Sequence, residues 1–409
     1  MKHGAIALLG LVTIVAYGSW YYAFGVLLDP IRIATGWSEA GLAASFSAGI
    51  VSVGFGAIGG GRLLDRLGSR FVFLIGGTGG GLGLLATSYS SGQIMFTVAA
   101  AAAMGFLGSF GFYHITMTTA VRVNPQDPSK AIATLTIWGA FASVIYLPAT
   151  AALVEWLEWR LTVRILGLVV LAIFGMAALV IPNTVSEPET GSESGTGSDG
   201  NEPRPSIRQI LAATVQSPSR RSFTIAVAFG GVAMSTVLVY QVPTMTAVGL
   251  PLSTAATMAG IRGFAQTGGR IPLGRIVKRV GSDGALVLAF SAMTIGGTLL
   301  AFAGTVPVAL AFAIIMGFGI GAYSPLQGIK AEELFERETL GATMGAYSTI
   351  MMLSGAAGPA VAGVLADSTD DRRMVAFVIV GAAAVATLFA LRLRRSTVGI
   401  PSPPVDGVA

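Results

Sequence analysis

The chain contains twelve mostly apolar stretches of about the 20 residues that an α-helix needs to cross a bilayer, and this limits its fold more than any other feature. In the first half they fall at roughly 5–31, 40–64, 71–88, 94–121, 131–154 and 161–182. In the second half they fall at roughly 222–247, 253–277, 284–304, 307–330, 340–366 and 374–392. Only 11% of the 409 residues are charged. A soluble domain carries about 25%, so this chain cannot clothe a surface that faces water. The reading is an all-α membrane protein of twelve transmembrane helices. The first apolar run is too long for the core of a signal peptide, which spans about 7–15 residues.

Between the halves, "TVSEPETGSESGTGSDGNEPRP" at 184–205 is acidic, rich in Gly and Ser, and without apolar period. It reads as a disordered linker. Ile207, Ile210, Leu211 and Val215 follow at helical spacing beside Arg208 and Gln209, the pattern of a short helix lying on the membrane surface. The expected organisation is therefore a six-helix half at 1–183, a linker with its surface helix at 184–220, a second half at 221–396 and a tail at 397–409. With the N-terminus in the cytoplasm, 18 of the 25 Lys and Arg residues fall at cytoplasmic ends or loops. Five fall outside, namely Arg32, Arg160, Arg164, Arg372 and Arg373. This bias places both termini in the cytoplasm, in a plasma membrane of bacterial type. The net charge of +5 is thereby a matter of topology and points to no nucleic-acid partner.

"GRLLDRLGS" at 61–69 returns as "GRIVKRVGS" at 274–282, an offset of 213 that also aligns Pro30 with Pro243 and Gly36 with Gly249. Six spans repeated in order make a two-half architecture with a central pathway, and such carriers bind substrate near the midplane between the halves. A glycine run at 76–83 has no Lys-Ser/Thr after it and lies inside a span. It reads as close helix packing at four-residue spacing and not as a nucleotide loop.

The repeated loop carries a resemblance. "GRLLDRLGSR" resembles the loop motif of the major facilitator superfamily at Gly61, Asp65, Arg66, Gly68 and Arg70. The second copy keeps Gly274, Arg275, Arg279 and Gly281 but has Lys278 where the acid belongs. Stretches such as "YQVPTMTAVGL" and "GGRIPLGRIVKRVG" are similar to the monocarboxylate-porter and oxalate/formate-exchanger branch. The resemblance implies a secondary transporter that moves a small organic anion by alternating access. In the motif, Asp65 ends a helix where Arg66 and Arg70 can pair with it, and it can cap the positive N-terminus of a helix from the other half. Lys278 cannot cap a helix N-terminus, so the second latch is expected to be weaker or to use another partner.

The eighth span is the anomaly. It carries Arg262, Gln266 and Arg270 at i, i+4 and i+8, on one helical face. A charge at this depth costs about 2.5–3.5 kcal/mol on insertion scales. Snorkelling is the plain alternative, but both arginines lie roughly 12–13 Å from the helix ends at 1.5 Å per residue. No carboxylate is placed at mid-depth to answer them. The missing anion is most simply the substrate, which guanidinium forks recognise through paired hydrogen bonds.

The resemblance adds roles. It puts the substrate-binding arginine of span eight at Arg270, in "GGRIPLG", and an acid of the porters at Gln266. It brings Tyr113 and His114 of span four toward the substrate, and Gln241, beside Tyr240, into the span-seven motif. The exchangers' lysine in span eleven has no equivalent. Tyr22 among the span-one aromatics, and Tyr323 in span ten, are further pathway candidates, with plain packing as the alternative for each. His114 is the one histidine in a span, and its unperturbed pKa of about 6.5 suits proton coupling. Without coupling, the chain exchanges anions or runs as a uniporter, or exports another small solute. Two His, no Cys and no acid pair in mid-membrane give no metal site, cofactor or catalytic group. The partners expected are the anion, protons in the symport case, and membrane lipid, with no obligate protein partner.

Overall fold

The computed structural model describes residues 2–184, 217–335, 340–369 and 371–397. The expected linker beyond 184, the surface helix at 207–215 and the tail from 398 lie outside the described residues.

Every regular element described is helical. In the first half these are α1 (Lys2–Ala16), α2 (Ala23–Thr35), α3 (Glu39–Leu67), α4 (Ser69–Ser88), α5 (Gln93–Gly111), α6 (Tyr113–Val123), α7 (Pro128–Trp156) and α8 (Trp159–Val180). In the second they are α9 (Pro218–Ala247), α10 (Leu252–Arg270), α11 (Leu273–Ala301), α12 (Val306–Leu334), α13 (Leu340–Ser368) and α14 (Arg373–Thr397). One π-helical turn, Tyr17–Tyr22, joins α1 to α2 and makes them a single span. The pair α5 and α6 makes another. Among the described residues, eleven spans qualify by length and apolar character, and α10 is not among them. It is the twelfth. Its two arginines and Gln266 lower its hydropathy, which is the anomaly already visible in the sequence.

Span eight is also interrupted. The sequence suggested one run to 277, whereas α10 stops at Arg270 and α11 starts at Leu273. Pro272 separates them, because it lacks the N–H that a continuous helix needs. The true turn between the eighth and ninth spans comes later, at Gly281, inside α11.

The repeat is written in the backbone. Among the described residues four glycines have positive φ: Gly36 (69°), Gly68 (83°), Gly249 (109°) and Gly281 (75°). They form two pairs, each separated by the 213 residues found in the sequence. Gly68 and Gly281 also share an extended ψ, 176° and 168°. That region is essentially closed to residues with a Cβ.

In the first half α3 packs on α5, and α4 on α5 and α8. In the second, α9 packs on α14, and α12 on α10 and α11. The halves meet along α3–α13, α7–α10 and α2–α9. The glycine run of α4 serves close packing, as read. A Cβ on Gly83 would lie 2.9 Å from the Ala103 backbone, and one on Gly81 2.9 Å from the Gly167 carbonyl. Each half has its own apolar core, yet Val26 and Leu147 join the core of the second half and Leu238 and Val239 that of the first. The outward faces stay apolar, with Ile94, Leu179 and Ile58 exposed. This suits hydrocarbon and not water.

Candidate functional site

A cavity of about 210 Å³ lies between the halves, and its cationic wall is α10. Arg262, Gln266 and Arg270 line it together, as their i, i+4, i+8 spacing requires. Gly139 and Ser143 of α7, which packs on α10, form the adjoining wall, with Tyr17, Tyr21 and Tyr22 from the π-turn and Tyr113 from the start of α6. The π-turn explains the tyrosine cluster. Its i→i+5 bonding brings residues five apart onto one face, so Tyr17 and Tyr22 face the cavity with Tyr21 beside them. Tyr17 stacks on Phe112 with centroids 3.8 Å apart and planes at 5°. Phe112 sits at the break between α5 and α6 and so fixes where α6 begins, which aims Tyr113 inward. Gly139 leaves room for the Tyr113 hydroxyl, with which any Cβ there would collide.

Arg262 is 2% exposed. Its Nε donates to Gln241 Oε1 at 2.7 Å, while its Nη2 is buried with no hydrogen-bond partner. The cavity lining contains no Asp or Glu. Neither Arg262 nor Arg270 pairs with a carboxylate among the described residues. A buried cation with a neutral partner and a spare donor is costly unless an anion completes it.

A second cavity of about 330 Å³ adjoins the first and shares Tyr17, Tyr21, Tyr113 and Met234 with it. Its remaining walls are largely apolar, including Ile50, Val53, Met104, Met351 and Met352. His114 faces this second cavity and not the arginines, and its Nε2 donates to the Ser109 carbonyl at 3.2 Å. Gln241 stands behind Arg262 and does not line either cavity. Tyr323 is not brought to the pathway. It is fully buried in the second half, with its hydroxyl on the Val227 carbonyl at 2.7 Å and its ring 5.1 Å from Phe290. Tyr17 and Tyr21 were weaker candidates in the sequence, within the span-one aromatics of which Tyr22 was preferred, and Ser143 and Met234 were not singled out. A signal existed for the tyrosines in the crowding of aromatics at 17–22, but α-helical spacing would not put 17 and 22 together.

The loop motif departs from its expected pairing. Asp65 forms its ion pair with Arg122, from α6, and not with Arg66 or Arg70. Arg122 also donates to the carbonyls of Leu64 and Thr184, so it ties the end of α3 to the residues after α8. Arg66 and Arg70 are exposed, as are Gly274, Arg275 and Arg279 of the second copy. Lys330 pairs with Asp283 at 2.7 Å and with Glu333 at 3.0 Å.

At the opposite end of the bundle, near Gly36, the halves are joined by charge. Arg372 bridges Asp29 at 2.6–2.7 Å and Glu39 at 2.6 Å. The Glu39 side chain is 4% exposed. Asp367 of α13 accepts from the backbone N–H groups of Glu39 and Ala40, at 2.9 and 2.8 Å, and caps α3 from the other half. Burial opposes the charge on Arg372, but its bonds to Asp29 and Glu39 prevail and hold its pKa above that of an ordinary arginine. The sequence placed Asp29 at the outer end of span one, where it was a second candidate for proton coupling, and Glu39 in the first turn of span two, but paired neither with Arg372.

Two helical halves meeting over a cationic cavity are the arrangement of a membrane transporter. A family model of the Major Facilitator Superfamily matches residues 9–359 and 235–407, and the chain belongs to that superfamily. It is thereby a multi-pass membrane protein. It is 25% identical over 330 residues to Monocarboxylate transporter 11 of Homo sapiens, covering 76% of this chain and 66% of that protein. It is 23% identical over 367 residues to Monocarboxylate transporter 7 of Homo sapiens, covering 75% and 70%. The chain thus spans about two thirds of the length of these relatives. Among solved structures, the nucleoside transporter NupG superposes with a TM-score of 0.78 at 13% identity, covering 98% of this chain and 100% of that one. A D-xylose-proton symporter superposes with a TM-score of 0.69 at 13% identity, covering 96% and 97%. At such identities the likeness concerns the fold alone.

Proposed function

We propose that the chain carries a small organic anion, a monocarboxylate foremost, by alternating access, with Arg270 and Arg262 as the carboxylate anchors. One observation carries this reading: a cavity between the halves presents two arginines and no carboxylate, and one guanidinium nitrogen is buried without a partner. The names of the human relatives point the same way. Gln266 supplies a neutral hydrogen-bonding group between the anchors, and Tyr22 and Tyr113 close the cavity around the anion. The concentration of Lys and Arg at the Gly68 end supports a cytoplasmic orientation for that end and for both termini, in a plasma membrane of bacterial type.

A second reading, anion exchange, is favoured by one specific absence. No carboxylate lines the cavity to take up and release a proton alongside the anion. Uptake of labelled carboxylates into proteoliposomes separates the two. Accumulation driven by an inward proton gradient supports symport, and trade of internal for external anion without response to the gradient supports exchange. Uptake of neutral nucleosides or sugars in preference to every carboxylate would reject the anion reading.

A further inference from the structure

We propose that the carried anion is a monocarboxylate with an apolar tail. The carboxylate sits on Arg262 and Arg270, and the chain or ring lies in the methionine-walled cavity beside them. This rests on the anion-carrier reading and narrows its substrate class. The two cavities share four walls, so a ligand anchored at the arginines extends into the second chamber past Tyr17 and Tyr113. The second chamber offers no Lys or Arg among its lining residues, so it has nothing for the far carboxylate of a dianion. Two of its polar groups are already engaged. The Ser235 hydroxyl bonds to the carbonyls of Gly231 and Gly355, and His114 to that of Ser109. At about 330 Å³ the chamber is more than twice the size of a dry apolar cavity of about 150 Å³ that takes up benzene. Methionine side chains adapt to varied shapes, so the chamber selects for apolar bulk more than for one outline.

The test is calorimetric titration of the purified full chain with acetate, hexanoate, hexanamide and adipate. Each buried methylene is worth roughly a factor of four in affinity, so hexanoate, with four more than acetate, is expected to bind about 250-fold tighter. Hexanamide, without charge, should bind at least tenfold more weakly than hexanoate. Adipate should lose most of the gain, because its second carboxylate would enter an apolar space. Ala57→Leu narrows the second chamber only. It should leave the affinity for acetate as it is and cut the hexanoate advantage at least tenfold, and the retained acetate binding reports that the variant is folded. Equal affinity of the wild type for acetate and hexanoate overturns the tail proposal while leaving the carrier reading intact. An undiminished hexanoate advantage in Ala57→Leu that still binds acetate does the same. Binding of none of the carboxylates overturns the carrier reading itself.

Discussion

Arg270 is the side chain on which recognition turns most directly, because it is half-buried in the cavity and pairs with no carboxylate among the described residues. Arg270→Lys keeps the charge and loses the planar fork. Losing one charge-assisted hydrogen bond is worth about 1.5–3 kcal/mol, so the expected effect is a tenfold to hundredfold loss of apparent affinity in proteoliposome uptake. Unchanged affinity would remove Arg270 from the site. His114 separates two readings that the sequence left open. It faces the apolar chamber and its Nε2 is bonded to Ser109, so it is placed poorly to follow the anion. Gradient-driven uptake in His114→Gln is expected to match the wild type if any symport exists, and abolition of the gradient response alone would assign it the coupling role. The arginine pair was legible in the sequence because charge is so costly in a span that its presence is itself a signal. Tyr323 was misleading for the complementary reason. A tyrosine in a span satisfies its hydroxyl on a backbone carbonyl as readily as on a substrate, and nothing in the sequence tells the two apart.

At the scale of elements, the 213-residue repeat and the ends of the helices were readable, because Gly and Pro mark where a chain must turn. The π-turn at 17–22 was not, since a widened turn leaves no compositional mark. Its effect on which tyrosines share a face came only from the coordinates. The motif glycines divide by conformation in a way that can be measured. Gly68 and Gly281 sit at φ 83° and 75° with extended ψ, a region that a Cβ makes costly by about 1–3 kcal/mol. Gly61 lies in α3, and a Cβ there would meet open space. Gly68→Ala and Gly281→Ala should each lower the thermal midpoint of the purified protein. Gly61→Ala should hold or raise it, since Ala is favoured over Gly by about 1 kcal/mol in a helix. The opposite ranking would mean that the motif glycines act through contacts and not through the backbone.

At the scale of the molecule, a device of the kind expected for Asp65 joins the halves at the Gly36 end. A carboxylate from one half caps a helix of the other: Asp367 on α3, reinforced by Arg372 between Asp29 and Glu39. Asp65 also has an ion pair inside its own half, with Arg122. The sequence showed charges at both ends, yet pairing across halves depends on which end is closed, and a linear reading holds no such information. The structure is therefore latched at the Gly36 end, and the latch can be opened by design. Arg372→Ala removes the cation that comes from the other half and leaves Asp29 and Glu39 only the longer contacts to Arg32 of their own half, at 3.6 and 3.7 Å. Breaking a buried ion pair costs about 3–5 kcal/mol. That cost falls on the closed state, because the carboxylates regain water once the halves part. The chain has no cysteine, so a single reporter is free of background. Val26→Cys suits the purpose, as Val26 is 1% exposed where α2 packs into the core of the second half. A membrane-impermeant maleimide should label Val26→Cys slowly in the otherwise native chain, and at least tenfold faster once Arg372→Ala is added. If the two rates agree while both proteins unfold at the same temperature, the charges at this end do not hold it shut, and apolar contacts such as Val26 in the second core must do so instead.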